Sequence, residues 1–336
     1  SYVKIRASYI GYDSKDAFVT NDATQTKEIL MDQQDNMLEE VVVKAKKKKY
    51  SNKDNPAVAL IRKVIENKEK NRLSGQQYAE FDQYEKMSLG LSNLSEKFVN
   101  KKIFKNYQFL FETDDSAKTA NKYVLPAFIE EKMSKVYYRK DPSKTKQYIL
   151  GDQRAQFDPK FIDNDGLTAF FNKLYEQVDI YDNNISLVTN QFLSPIANSA
   201  PTFYKFFITD TIKTVQPWLV ELSFFPRNKA DMLFKGQLYV TLDGNYAVQG
   251  ANMTVADDTN LNFVRDLQIQ LKFDKDSKSR FYLKTSTLGI DFSLTEKGMG
   301  IRGSRTVDYN NYKVGVQQPD SIYDGPSTVI AYDVDN

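Results

Sequence analysis

Residues 234 to 244 constrain the fold more than any other stretch. Phe234, Gly236, Leu238, Val240 and Leu242 alternate with Lys235, Gln237, Tyr239 and Thr241, and Asp243-Gly244 follows. Successive strand side chains point to opposite faces, so this pattern buries one face only, and the Asp-Gly pair supplies a hairpin turn. The alternation recurs in Leu261, Phe263, Leu267, Ile269, Leu271 and Phe273, broken at Val264-Arg265, and again in Trp218, Val220, Leu222 and Phe224. Residues 281 to 294 change phase between Thr287 and Leu288, which predicts a β-bulge there. Residues 78 to 91 and 129 to 138 also read as strands, and strands at hairpin spacing predict an antiparallel, strongly curved sheet. The same alternation could close as a membrane barrel, but intervening helices and polar loops favour a soluble sheet.

Few helices interrupt the strands. Asn55 is placed as an N-cap with Pro56 at the first helical position, and Ala57, Leu60, Ile61 and Val64 form an apolar stripe. Arg62, Lys63, Glu66 and Lys70 fall outside it, so the helix should lie on something larger. Residues 96–107 and 166–177 also look helical. Before them, residues 2–12 and Val41-Val42-Val43 read as strands around a polar stretch at 20–35. The run Lys44, Lys46, Lys47, Lys48 and Lys49 continues to Asp54 as a charged tether. The last strand is expected to end near Leu294, and residues 296–336 then read as a connector.

Composition excludes more than it assigns. The 336 residues contain no His and no Cys, so Ser-His-Asp and Cys-His nucleophiles, the usual zinc sites and redox dithiols cannot be built. Lys+Arg total 46 against 44 Asp+Glu, and the basic excess sits in the five-lysine run. No extended basic face remains for phosphates, which argues against nucleic acid. No apolar run is long enough for a membrane-spanning helix. The chain opens directly on a strand-like segment, as a piece of a longer precursor would.

The short motifs are weak. Gly298-Met299-Gly300-Ile301-Arg302-Gly303 has dinucleotide-site spacing, but Ser304 to Asn311 carries no helical stripe, so a glycine turn is the better reading. Ser143 to Lys146, like Ser1 to Lys4, has the Ser-x-x-Lys spacing of a nucleophile beside a lysine base, although Pro142 fits a polar turn. Asp163-Asn164-Asp165-Gly166 resembles part of a calcium loop, but Phe161 and Asn172 stand where strong ligands belong. Trp218, Phe224 and Phe225 could line an aromatic cleft or pack in the core. No catalytic, cofactor-binding or metal-ligating residue is assigned.

Several stretches together resemble one family. Ser8-Tyr9-Ile10-Gly11-Tyr12 and the segment Leu38-Glu39-Glu40-Val41-Val42-Val43-Lys44-Ala45 are similar to the end of the carboxypeptidase-regulatory-like β-sandwich of outer-membrane proteins from Bacteroidetes-type bacteria. Residues 55–68, Phe192-Leu193-Ser194-Pro195, Phe224-Phe225-Pro226-Arg227 and residues 234–240 resemble a family of unknown function. In that family the sandwich is followed by a mixed domain and a C-terminal surface-antigen-type membrane barrel. Asp115-Ser116-Ala117, Asp210-Thr211-Ile212 and Asp320-Ser321-Ile322 are similar to the short O-glycosylation acceptor pattern of such bacteria.

The resemblance implies an α+β, mainly β chain, a curved antiparallel sheet with a few packing helices, preceded by part of a β-sandwich. Residues 1–43 would end the sandwich, 44–54 form a basic linker, 55–295 the mixed domain, and 296–336 a connector toward a barrel absent from this sequence. The soluble part would face the periplasm at the outer membrane. It implies a non-enzymatic docking or scaffold domain whose partner is its own barrel, with other envelope proteins as further candidates. The alternative is a carrier that encloses a lipid or other apolar ligand in the curved sheet. An enzyme using carboxylates or a Ser-Lys pair is the third reading.

Overall fold

The computed structural model describes residues 2–7, 15–20, 28–30, 49–114, 122–156, 177–187, 190–228, 231–255, 264–276, 280–293 and 298–332. Val41 to Val43, Leu261, Phe263, the Asp163 to Gly166 motif, Asp115 to Ala117 and nearly all of the helix expected at 166–177 lie outside them. The chain divides into two compact units, Ser1–Lys47 and Lys48–Asn336. In the first, β1 (Tyr2–Ala7) and β2 (Lys15–Thr20) form an antiparallel hairpin with Tyr2 opposite Thr20. The strand read over residues 2–12 therefore ends at Ala7, and the chain returns.

The second unit is an open twelve-stranded sheet. Its first part comprises β3 (Tyr78–Leu94), β4 (Glu112–Asp114), β5 (Lys122–Arg139) and β6 (Lys144–Gln156). The short hairpin β7 (Asn184–Leu187) and β8 (Asn190–Leu193) stands apart from it. A meander follows, of β9 (Tyr204–Ile212), β10 (Leu219–Pro226), β11 (Phe234–Thr241), β12 (Val248–Val255), β13 (Val264–Lys275), β14 (Phe281–Ser293) and β15 (Gly300–Val314). The spatial order is β16-β6-β5-β3-β15-β14-β13-β12-β11-β10-β9, with β4 on β5, and β16 (Thr328–Ile330) runs parallel to β6. Every other pairing in the sheet is antiparallel, so the fold is mainly β with a few helices.

The helix forms where the sequence places it. α1 spans Pro56–Asn71, and the Asn55 side chain accepts from the Ala57 amide at 3.0 Å. Ala57, Leu60, Ile61 and Val64 are buried against alternate residues of the sheet: Met87 and Leu89, Phe206, Leu222 and Phe224, Leu238, Ile269 and Leu271, Leu288 and Ile290. The hairpin β7–β8 and the single-turn helix α3 (Ala200–Phe203) share this core through Ile185, Leu187, Phe192 and Ala200. Phe192 stacks on Phe234 at 4.8 Å between ring centroids. The stretch 96–107 makes only one helical turn, α2 (Glu96–Val99), then tight turns at Lys102–Phe104 and Gln108–Leu110.

Three sequence expectations are corrected. The connector expected from residue 296 contains β15, which lies in the middle of the sheet between β14 and β3. Its inward positions are Ile301, Gly303, Arg305, Val307 and Tyr309, and the glycine and arginine break the apolar period that would reveal a strand. The linker expected to reach Asp54 is structured by Tyr50: the Phe206 amide donates to the Tyr50 hydroxyl at 2.9 Å, and Asn52 bonds the Pro201 carbonyl at 2.8 Å. The bulge expected between Thr287 and Leu288 falls at Lys284, where pairing skips from Thr285 to Leu283. The break at Val264-Arg265 is itself a bulge, since Val264 faces Phe292 and Asp266 faces Asp291.

The C-terminal segment clasps the sheet's first part. Lys146, fully buried, donates to the Pro326 carbonyl at 2.6 Å and to the Asp324 carbonyl, and Tyr148 donates to Ile322 at 2.8 Å. These carbonyl acceptors satisfy the buried amine.

If α1 anchors the core, Ile61→Ala should lower stability by about 2–5 kcal/mol, while exposed Arg62→Ala should change it by about 0.5 kcal/mol or less. Urea unfolding of the two variants checks this, with equal small effects counting against the packing.

Candidate functional site

A cavity of about 300 Å³ opens beside the C-terminal end of α1. Phe81 of β3, Tyr138 of β5, Phe273 of β13, Phe281 to Leu283 of β14, and Tyr309, Tyr312 and Val314 of β15 give it an apolar wall, to which Leu73 and Tyr181 add. The rings brace one another. Phe81 meets Tyr309 edge-on at 5.4 Å and stacks on Tyr312 at 5.3 Å, Tyr282 stacks on Tyr312 at 4.4 Å, and Tyr181 meets Phe273 edge-on at 5.9 Å. Such pairs fix ring orientation beyond simple area burial. Burial lifts the Tyr309 phenol to about 12 and raises those of Tyr181 and Tyr312 further, so the wall is uncharged at neutral pH.

Charge is confined to two places on the rim. Arg72, just past α1, reaches Asp182 at 2.5 Å and Asp179 at 3.3 Å. Burial opposes its charge, but Asp179, Asp182 and Glu69 together outweigh that and hold the guanidinium above its usual value. Asp179 shows the opposite balance: burial raises its carboxyl above the ordinary range, although the Tyr181 amide donates to it at 2.9 Å and Arg72 lies alongside. Across the opening, Arg280 bonds Asp276 at 2.8 Å through Nε and 2.7 Å through Nη2. The Arg72 Nε is buried without a hydrogen-bond partner, a donor left over on the wall of an apolar space.

Among the described residues, the sequence motifs reach this cavity only through Thr145 of the Ser143–Lys146 stretch. Gly300 to Gly303 is strand and opens no helix; a Cβ at Gly300 would sit 2.5 Å from the Phe292 carbonyl and 2.8 Å from the Ser92 hydroxyl, so glycine is required there for close packing. Ser143 lies in the β5–β6 turn while Lys146 is spent on the C-terminal clasp, so the pair shares no helical turn. Alternation sends Phe224 into the core and Phe225 to the other face against Phe207, with Trp218 half-exposed under Lys213, so these three make no cleft. Thr211 and Ser321 lie on β9 and in the turn at Asp320–Tyr323. Among the described residues, no group of three or more Asp or Glu is placed to hold a metal ion.

The cavity residues were missed because they come from five separated parts of the chain.

A family model spans most of this structure, from α1 through β15, residues 60–312. The chain belongs to the family of unknown function DUF5686. Because the match runs through β15, that strand is part of the family's own domain. No curated protein matches the chain in sequence. Among solved structures, a DUF1329 family protein from Desulfovibrio piger ATCC 29098 is similar over 80% of this chain and 98% of its own, at 10% identity and a TM-score of 0.30. A putative outer membrane lipoprotein-sorting protein domain from Vibrio parahaemolyticus aligns over 78% and 95%, at 8% identity and 0.27. MucB in the Pseudomonas aeruginosa MucA/MucB complex aligns over 78% and 99%, at 7% identity and 0.22. These likenesses are too distant to transfer a ligand or an activity. No helix of the described residues is long and apolar enough to cross a membrane.

Removing the Arg72 side chain should cost about 1–3 kcal/mol, because Asp179 and Asp182 lose their counter-charge. Asp179 supplies a pH signature. Its native pKa lies above the ordinary 3.8, so the native state holds the proton where the unfolded chain has released it. The wild type should therefore lose stability relative to Asp179→Asn as pH rises from 3.8 through the raised native value. Urea midpoints of both proteins across that range test the sign, and a difference that is flat or grows the other way refutes it.

Proposed function

We propose that this chain is a non-enzymatic binding domain whose cavity holds one apolar group carrying a hydrogen-bond acceptor. The single observation behind this is the aromatic cavity of about 300 Å³ with the unpartnered Arg72 Nε on its wall. That volume is at the lower end of small-molecule sites, which combine apolar walls with a few polar groups that orient the ligand. An acyl chain end or a small aromatic group with a carbonyl or carboxyl fits this chemistry. The wall phenols are neutral, and the rim carboxylates are paired with Arg72 and Arg280. That arrangement supports binding in preference to turnover.

The envelope setting of this reading rests on the sequence resemblance to outer-membrane proteins. In this reading the open sheet faces the periplasm as a docking domain beside an outer-membrane barrel, and the cavity is where the ligand or a partner's apolar side chain enters. The two roles are compatible, since a cavity at the open end of a sheet can receive a group presented by a neighbour.

Native mass spectrometry of the chain, before and after organic extraction, tests the cavity directly. A stoichiometric adduct that extraction removes is expected. Val314→Phe, which pushes a ring into the space, should weaken rebinding of the extracted ligand about tenfold or more. An adduct unaffected by that substitution, or none at all from the folded chain, would sink the reading.

A further inference from the structure

The opposite end of the sheet carries a surface of different character. Between β3 and β4, residues 95–111 contain Lys97, Lys101, Lys102 and Lys105 against one acid, Glu96, and all four lysines are exposed. Among them stand three large apolar side chains turned outward: Ile103 at 57% exposure, Tyr107 at 53% and Phe109 at 79%. Singly exposed apolar residues are ordinary, but three within seven positions, interleaved with cations, are not. Met299, the residue before β15, is also half-exposed at this end, since Gly300 pairs with Ser92 near the end of β3.

The segment is built to hold these side chains out. Phe98 packs on Phe104 at 5.3 Å and Phe104 on Phe111 at 5.3 Å, forming a base of rings beneath the tips. Lys101 lies over the Phe98 ring at 4.5 Å. The backbone bonds itself within tight turns, with the Phe104 amide on Lys101 at 2.9 Å, Tyr107 on Phe104 at 2.9 Å and Leu110 on Tyr107 at 3.0 Å. Asn93 ties the base to the neighbouring loop through the Gly298 carbonyl at 2.7 Å. A loop that satisfies these amides locally can enter a weakly polar boundary without stranding them.

We infer that this end of the domain docks onto the surface of an anionic lipid bilayer, with Ile103, Tyr107 and Phe109 at the headgroup level and the four lysines on the lipid phosphates. Charge complementarity decides for lipid over protein. Lysine is depleted in protein–protein interfaces, whereas basic side chains beside aromatic and aliphatic tips mark interfacial membrane contacts. The inference is independent of the cavity, which lies at the other end of the strands.

Flotation of the purified chain with vesicles of neutral phosphatidylcholine, and of phosphatidylcholine containing one-third phosphatidylglycerol, tests it. Binding to the anionic vesicles should exceed binding to the neutral ones by about tenfold or more, and should fall at high salt. Ile103→Ser combined with Phe109→Ser should reduce anionic binding about tenfold, as should replacement of the four lysines by glutamine. An unchanged thermal midpoint shows that each variant is folded, and the lysine set serves where the serine pair is not. A folded wild type that binds neither vesicle overturns the proposal and leaves the patch to a protein partner. So does anionic binding that both variant sets leave intact. Occupancy of the cavity, read by native mass spectrometry, should be the same in all these proteins.

Discussion

The pairing of β15 with β3 is the constraint on which the rest of the structure depends. β9 to β15 form one meander in chain order, and β3, β5 and β6 form another. The sheet is continuous only because β15 lies against β3, from Gly300 opposite Ser92 to Val314 opposite Ala79. The contact joins residues more than two hundred positions apart, as in the 2.8 Å ion pair of Arg305 with Glu85. Both side chains are largely buried, and their charge fixes the register. A slip by one residue would turn Arg305 to the other face and leave Glu85 buried without it. Contacts of such sequence separation form late, because the long loop must close before they return any energy.

Joining the two meanders makes the cavity. Phe81 comes from one and Phe273, Tyr309 and Tyr312 from the other, and they meet only across this seam. α1 fills the apolar face next to the seam and stops short of its end, where Arg72 turns out of the helix into the charges of Asp179 and Asp182. An uncovered end of an apolar sheet face is therefore walled by aromatic rings and edged by ion pairs. The other end of the same strands is occupied by the lysine and aromatic turns of residues 95–111. The domain thus has two chemically distinct ends, one an aromatic cavity rimmed by ion pairs, the other exposed and basic.

Local physics was well read from the sequence. The Asn55 cap, Pro56 and the stripe of Ala57, Leu60, Ile61 and Val64 gave the helix, because capping and 3.6-residue periodicity act within a few residues. The strict alternation of β10, β11 and β13 gave the antiparallel sheet, and even the break at Val264-Arg265 had a structural meaning. The failures lie where a residue's partner is remote. Arg305 and Gly303 occupy inward strand positions for reasons that reside in Glu85 and in close strand packing, so β15 looked like a connector. For Phe224 and Phe225 the sequence leaves cleft and core both open, and the strand sends the two rings to opposite faces, Phe224 into the core and Phe225 against Phe207.

By itself the sequence determined a cysteine- and histidine-free, mainly β chain with one capped amphipathic helix, and it excluded whole classes of catalytic chemistry. Those properties follow from residue type and short-range spacing. The tertiary structure alone decided which strand closes the sheet, where an aromatic cavity is left open, and that Arg72, Asp179 and Asp182 share its rim. These depend on contacts between segments of the chain separated by tens to hundreds of residues. Such contacts are selected by register, burial and charge in three dimensions, and no local pattern encodes them.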